Sequence, residues 1–207
     1  MRLKRGVLIV LEGIDGSGKS TQARRLVQHL REKGYETVSF QEPSRSRWGL
    51  EIKRKARHPG SLSPEEELDL FLKDRRENVE KNLKPALAAG YVVILDRYYF
   101  STMAYQGARG IDPEKIRRLN EAFAVKPDLV FILDVDPKEG LARIENQRKV
   151  REWLFEKEDY LGKAREIFRR LEGEGIIHID ARRPEEEVFE EIASDVLDYL
   201  QTLPVSA

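Results

Sequence analysis

The sequence predicts an α/β fold in three layers, with a five-stranded parallel sheet flanked by helices. Five short apolar runs recur along the chain: Val7–Leu11, Thr37–Phe40, Tyr91–Leu95, Leu129–Val135 and Ile176–Ile179. Most are rich in Val, Ile and Leu without polar alternation, as expected of strands buried on both faces of a parallel sheet. Helical segments with recognisable ends lie between them, and such strand–helix alternation builds right-handed crossovers. At 207 residues the chain makes a single domain, residues 1–207, large enough to bury a substantial core.

The elements follow in order. Val7–Leu11 runs directly into a glycine-rich stretch, and a helix from Ser20 to Lys33 stops at Gly34. Thr37–Phe40 leads into the polar turn Gln41–Arg47. Ser63-Pro64-Glu65-Glu66 is a capping box with proline at the first helical position, and that helix runs to about Gly90. Leu68, Phe71, Leu72, Val79, Leu83 and Ala86 form one apolar stripe along it, with Arg75 in the middle. Asp112-Pro113 and Asp136-Pro137 begin two more helices, Pro184 opens the last, and the tail Leu203–Ala207 is expected to fray. No internal repeat or interdomain linker is visible.

Composition narrows the function. Lys plus Arg and Asp plus Glu both number 37, so the net charge is zero, which argues against a nucleic-acid partner. The absence of cysteine removes disulfides, thiolate metal sites and thiol nucleophiles. His29, His58 and His178 are too scattered to suggest a zinc site or a histidine-based triad. No stretch could span a bilayer, and the N-terminus lacks a signal-peptide pattern, so the expected location is the cytoplasm.

Leu11 to Thr21 reads LEGIDGSGKST, in which Gly13, Gly18, Lys19 and Ser20 fit the phosphate-loop pattern G-x-x-x-x-G-K-[ST]. The stretch follows a buried strand and opens a helix, the context that the pattern requires; the alternative is a ligand-free glycine turn. Gly13, Ile14, Asp15, Gly16, Ser17, Gly18, Lys19, Ser20 and Thr21 would cradle ATP. Backbone N–H groups and the helix N-terminus would hold the β-phosphate. Lys19 would bridge the β- and γ-phosphates, and Ser20 would hold magnesium. Asp15 is an anion inside this anion-binding loop.

The third strand ends in Asp96-Arg97-Tyr98. Asp96 suits a ligand of a magnesium-bound water, while Arg97 stands where a hydrolytic ATPase would carry its water-activating glutamate. Val125-Lys126-Pro127-Asp128 does not fit the guanine reader of a GTPase, because its first residue is wrong and it precedes its strand. Transfer to a second, phosphate-bearing substrate is favoured over hydrolysis.

LEGIDGSGKSTQ, LDRYYFSTMAYQG and KPDLVFILDVDP…ARI together resemble the thymidylate kinases, within the nucleoside monophosphate kinase family. The similarity runs from about Gly6 to the final helix. It implies a P-loop kinase fold with a short lid at about 143–156, a homodimer, and ATP-dependent conversion of thymidine monophosphate to the diphosphate. Another deoxynucleoside monophosphate, or a nucleoside, is the alternative acceptor; a non-catalytic ATP-binding switch is an alternative of a different class.

The resemblance also assigns residues. Asp15 would bond the acceptor's 3′-hydroxyl, against the alternative of a loop-stabilising Asx turn. Arg45, or else Arg47, would hold the acceptor phosphate with Arg97, against the alternative of a solvated basic turn. Many bacterial relatives read R-E-P-G-G-T where this chain reads Gln41-Glu42-Pro43-Ser44-Arg45-Ser46. Tyr105 would lie near the sugar C2′ or simply pack in the core, with Gln106 beside it in the acceptor site. Phe71 would stack on the base and Arg75 bond its 4-carbonyl, against the alternative of a salt bridge from Arg75 to Asp15 or Glu42. In the lid, Arg143, Arg148, Lys149 and Arg151 are cations for the transferring phosphoryl group, Arg143 foremost, or merely a solvated face.

Overall fold

The computed structural model describes residues 1–58, 60–145 and 154–205. The elements run β1 (Val7–Glu12), α1 (Lys19–Glu32), β2 (Thr37–Gln41), α2 (Arg47–Lys55), α3 (Pro64–Asn78), a π-helical turn (Val79–Leu83) and α4 (Lys84–Ala88). They continue through β3 (Val92–Asp96), α5 (Tyr99–Gly107), α6 (Pro113–Glu121), β4 (Leu129–Asp134), α7 (Pro137–Glu145), α8 (Leu154–Arg169), β5 (Ile176–Asp180) and α9 (Glu185–Gln201).

All five strands are parallel, in the order β2-β3-β1-β4-β5. β1 and β3 are buried at every position, which explains their unbroken apolar composition, whereas edge strand β2 leaves Ser39 and Gln41 exposed. The connections reverse direction at β1, so the crevice beyond its C-terminal end is where such a sheet receives ligands. Register fixes what meets there: Leu11 of β1 lies opposite Asp96 of β3.

Local signals set the helix ends. Ser63 Oγ accepts from Glu66 N, and Glu66 Oε2 accepts from Ser63 N at 2.8 Å, completing the capping box. The helix does continue toward Gly90, but through the π-turn at Val79–Leu83. Such insertions into a helix often occur at functional sites. Asp112 caps α6 through Glu114 N.

Three helices carried no clear signal. α2 is short and basic and buries only Gly49 and Ile52. α5 is buried on nearly every side, so its apolar residues show no 3.6-residue stripe. α8 begins within the expected lid. The tail departs from expectation through Val205: it forms an antiparallel bridge with Leu3, and Lys4 N donates to Pro204 O at 3.0 Å. Its anchor is the opposite end of the chain, which no local pattern reveals. Arg148, Lys149 and Arg151 lie outside the described residues.

Candidate active site

The loop after β1 turns on glycines. Gly13, Gly16 and Gly18 have φ of 137°, 82° and 95°, values that favour glycine. At Gly16 space is short as well: a Cβ would lie 2.0 Å from Gly140 O at the start of α7. Gly18 begins α1 without a side-chain cap, so the first-turn N–H groups face the loop, a ready arrangement for phosphate. Ser17 Oγ is buried in the same loop and has no hydrogen-bond partner among the described residues.

Lys19 is buried and donates from Nζ to Ile14 O at 2.8 Å. Burial, and then the neighbouring Arg97 charge, push its ammonium down to about 7. A triphosphate would supply the missing counter-charge.

Ser20 Oγ donates to Asp96 Oδ2 at 2.5 Å. The other oxygen, Asp96 Oδ1, is buried and lacks a partner among the described residues. A hydroxyl beside a half-satisfied carboxylate is a hard oxygen donor set of the kind magnesium takes, with water and phosphate oxygens completing the shell. The two residues therefore fit the expected metal.

The loop's carboxylate points to a different set of partners. Arg97 Nη2 donates to Asp15 Oδ1 at 2.5 Å, Tyr105 Oη donates to the same oxygen at 3.3 Å, and Asp15 N donates to Tyr105 Oη at 3.0 Å. Asp15 is thus neutralised by Arg97, which explains how an anion survives in the loop. Tyr105 is partly buried against the core, as the packing alternative has it, and its hydroxyl also meets Asp15.

Arg97 has φ of 70°, unusual for a residue with a side chain. Its surroundings hold it there. Glu12, at the end of β1, is fully buried and accepts from Tyr98 N at 2.7 Å, Ser101 N at 3.1 Å and Ser101 Oγ at 2.5 Å. Ser101 Oγ in turn receives Arg97 Nη1 at 3.2 Å. Burial raises the Glu12 carboxyl to about 7, against the lowering effect of the Ser101 hydrogen bond. Sequence reasoning missed Glu12, although a charge ending an otherwise apolar central strand was a usable signal.

Arg75 is 1% exposed, and each guanidinium nitrogen is engaged. Nε donates to Glu42 Oε2 at 2.7 Å, Nη1 to Asn120 Oδ1 at 2.6 Å, and Nη2 to Thr102 Oγ1 at 3.0 Å. Glu42 also accepts from Asn78 Nδ2 at 3.1 Å. The alternative, a salt bridge to Glu42, is therefore present, and two of Arg75's five N–H groups make no hydrogen bond among the described residues. Phe71, one turn earlier, is half-buried. Gln106 Nε2 donates to Glu67 Oε2 at 2.9 Å, leaving Oε1 buried without a partner among the described residues.

The two basic-turn candidates separate. Arg45 lines a cleft of about 1250 Å³ together with Ser20 and Asp96, whereas the Arg47 guanidinium lies 4.2 Å from the centre of the Trp48 ring. Arg143 reaches the phosphate loop from α7: it donates to Gly16 O at 3.5 Å, Ala181 O at 2.9 Å and Glu139 Oε1 at 2.6 Å.

The thymidylate kinase family model matches residues 11–192. The chain belongs to the thymidylate kinase family. It is 47% identical over 194 residues to a probable thymidylate kinase of Archaeoglobus fulgidus, covering 94% of this chain and 96% of that protein. It is 51% identical to a thymidylate kinase of Akkermansia muciniphila, covering 89% and 88%. For a thymidylate kinase of Desulfotalea psychrophila the identity is 41%, covering 95% and 96%. Among the described residues of this family member, no helix is long and apolar enough to cross a membrane.

Proposed function

We propose that the chain transfers the γ-phosphoryl group of ATP to the 5′-phosphate of thymidine monophosphate. The observation that carries this is the two-sided loop. Lys19 and the Ser20–Asp96 pair serve the donor side, while Asp15 turns to Arg97 and Tyr105 on the acceptor side.

An acceptor phosphate oxygen attacks the γ-phosphorus in line, and the bond to the β,γ-bridging oxygen breaks, releasing ADP. The attacking phosphate is already anionic, so no protein base is needed. Positioning and charge neutralisation carry the rate. Lys19 bridges the β- and γ-phosphates, and Arg45 and Arg97 hold the acceptor phosphate. Arg143 contributes lid charge to the transition state. Ser20 and Asp96 would hold a magnesium ion, which would supply charge neutralisation to the phosphate oxygens. Asp15 takes the 3′-hydroxyl, Tyr105 and Gln106 flank the sugar, and Phe71 and Arg75 receive the base.

The cytoplasm is the proposed place of work. A homodimer is the assembly that the resemblance to the family implies.

A coupled assay with ATP and a panel of monophosphates tests the activity; thymidine and deoxyuridine monophosphates should lead, and absence of turnover with either would reject it. Asp15→Asn should impair acceptor use more than ATP binding. On that variant a 3′-deoxy acceptor should then lose little further, because both changes remove one interaction. Fully additive losses would place Asp15 elsewhere.

A further inference from the structure

The turn 42–46 carries Arg45, and a single buried carboxylate holds that turn. Asp74, next to Arg75 on α3, is 1% exposed. Its Oδ2 accepts from Ser44 N at 2.8 Å, and its Oδ1 from Ser44 Oγ at 2.5 Å and Ser46 Oγ at 2.7 Å. Ser46 N donates to Ser44 Oγ at 3.0 Å, and Ser46 Oγ caps α2 by accepting from Trp48 N and Gly49 N, both at 3.1 Å. Gly49 lets α2 lie against the turn, since a Cβ there would sit 2.3 Å from Ser44 O.

A carboxylate buried among neutral donors is costly to desolvate, so its retention calls for a return. Arg45 shows what that return is. Among the described residues Arg45 makes no hydrogen bond or ion pair, and it stands in the cleft shared by Ser20 and Asp96. The side chain is free to take an anion, while the backbone beneath it is fixed from both sides.

We propose that Asp74 is a positioning residue for the acceptor phosphate, acting through Ser44 and Ser46 to pre-set the turn that presents Arg45. This rests on the assignment of Arg45 to that phosphate. A preset turn spares the ordering that a mobile one undergoes on binding, so its effect falls on acceptor affinity. ATP is held by the phosphate loop rather than by this turn, so its own affinity should change less.

The test compares Asp74→Asn, Ser44→Ala, Arg45→Ala and the Asp74→Asn/Arg45→Ala double variant, with KM measured for each substrate alongside melting temperature. Asp74→Asn should raise the acceptor KM about tenfold, the effect of losing roughly one charge-assisted hydrogen bond, with the ATP KM within about twofold of the parent. In the Arg45→Ala background Asp74→Asn should add little, because both act on one contact. Ser44→Ala removes one hydroxyl and leaves the buried charge; it should show the same acceptor-only rise, more weakly, and serves if Asp74→Asn does not fold. Arg45→Ala without effect on acceptor KM would reject the role of Arg45 itself. Impaired Arg45→Ala alongside multiplicative losses, or equal KM changes for both substrates, would keep that role and overturn the proposal for Asp74.

Discussion

Lys19→Ala is expected to lower turnover by 100-fold or more, on the order of what losing one pre-set electrostatic contact to a transition state costs. The melting temperature should not fall, because the ammonium is buried at a cost in the nucleotide-free protein. Its pKa of about 7, set by burial and then by Arg97, means the folded protein has released this proton by pH 8, whereas an unfolded lysine keeps it to its ordinary value. Stability of the nucleotide-free protein therefore rises with pH through this group between about 7 and 10. ATP restores the charge, so binding at pH 8 should take up about one proton, read from calorimetry in buffers of different ionisation enthalpy. Lys19→Ala should abolish that uptake. Near-normal turnover in a folded variant would remove the loop from the mechanism.

Arg75→Ala should cost about 3–5 kcal/mol of stability, since it leaves Glu42 buried at 2% exposure without its cation. It should also reduce the preference for thymidine over deoxycytidine monophosphate by roughly 1–3 kcal/mol, because a 4-amino group donates where Arg75 needs an acceptor. Glu42→Gln in the same chain separates the two effects. The neutral amide removes the stranded charge and should recover much of the stability, while base preference stays lost. The measurements are denaturant unfolding and kcat/KM for both acceptors. Retained preference in destabilised Arg75→Ala would make Arg75 a strut between α3 and the turn at Glu42. Equal use of both monophosphates by the parent protein would remove the base-reading assignment.

Strands, helix starts and the phosphate loop were legible because each depends on neighbours a few residues away. Val7 to Leu11 is apolar because both sheet faces are covered, Ser63 and Glu66 cap each other across one turn, and Gly13 to Ser20 is a continuous cradle. α2 and α5 were not legible: one is too short and polar to carry a stripe, and the other is buried all round. The tail was misjudged because Val205 finds its partner at Leu3.

Local residue patterns specified the sheet, the phosphate loop, and the residue types that could hold phosphate and a metal. Which distant partner each buried charge meets was settled only in the folded chain. Arg97 meets Asp15 across 82 residues, Ser101 meets Glu12 across 89, and Arg75 meets Glu42 across 33. Parallel pairing of β1 with β3 sets Leu11 opposite Asp96, so the residues just beyond the two strands emerge side by side at one edge of the sheet. A buried charge must find its counter-charge within a few ångströms, and only the register of the strands determines which distant residue is that close.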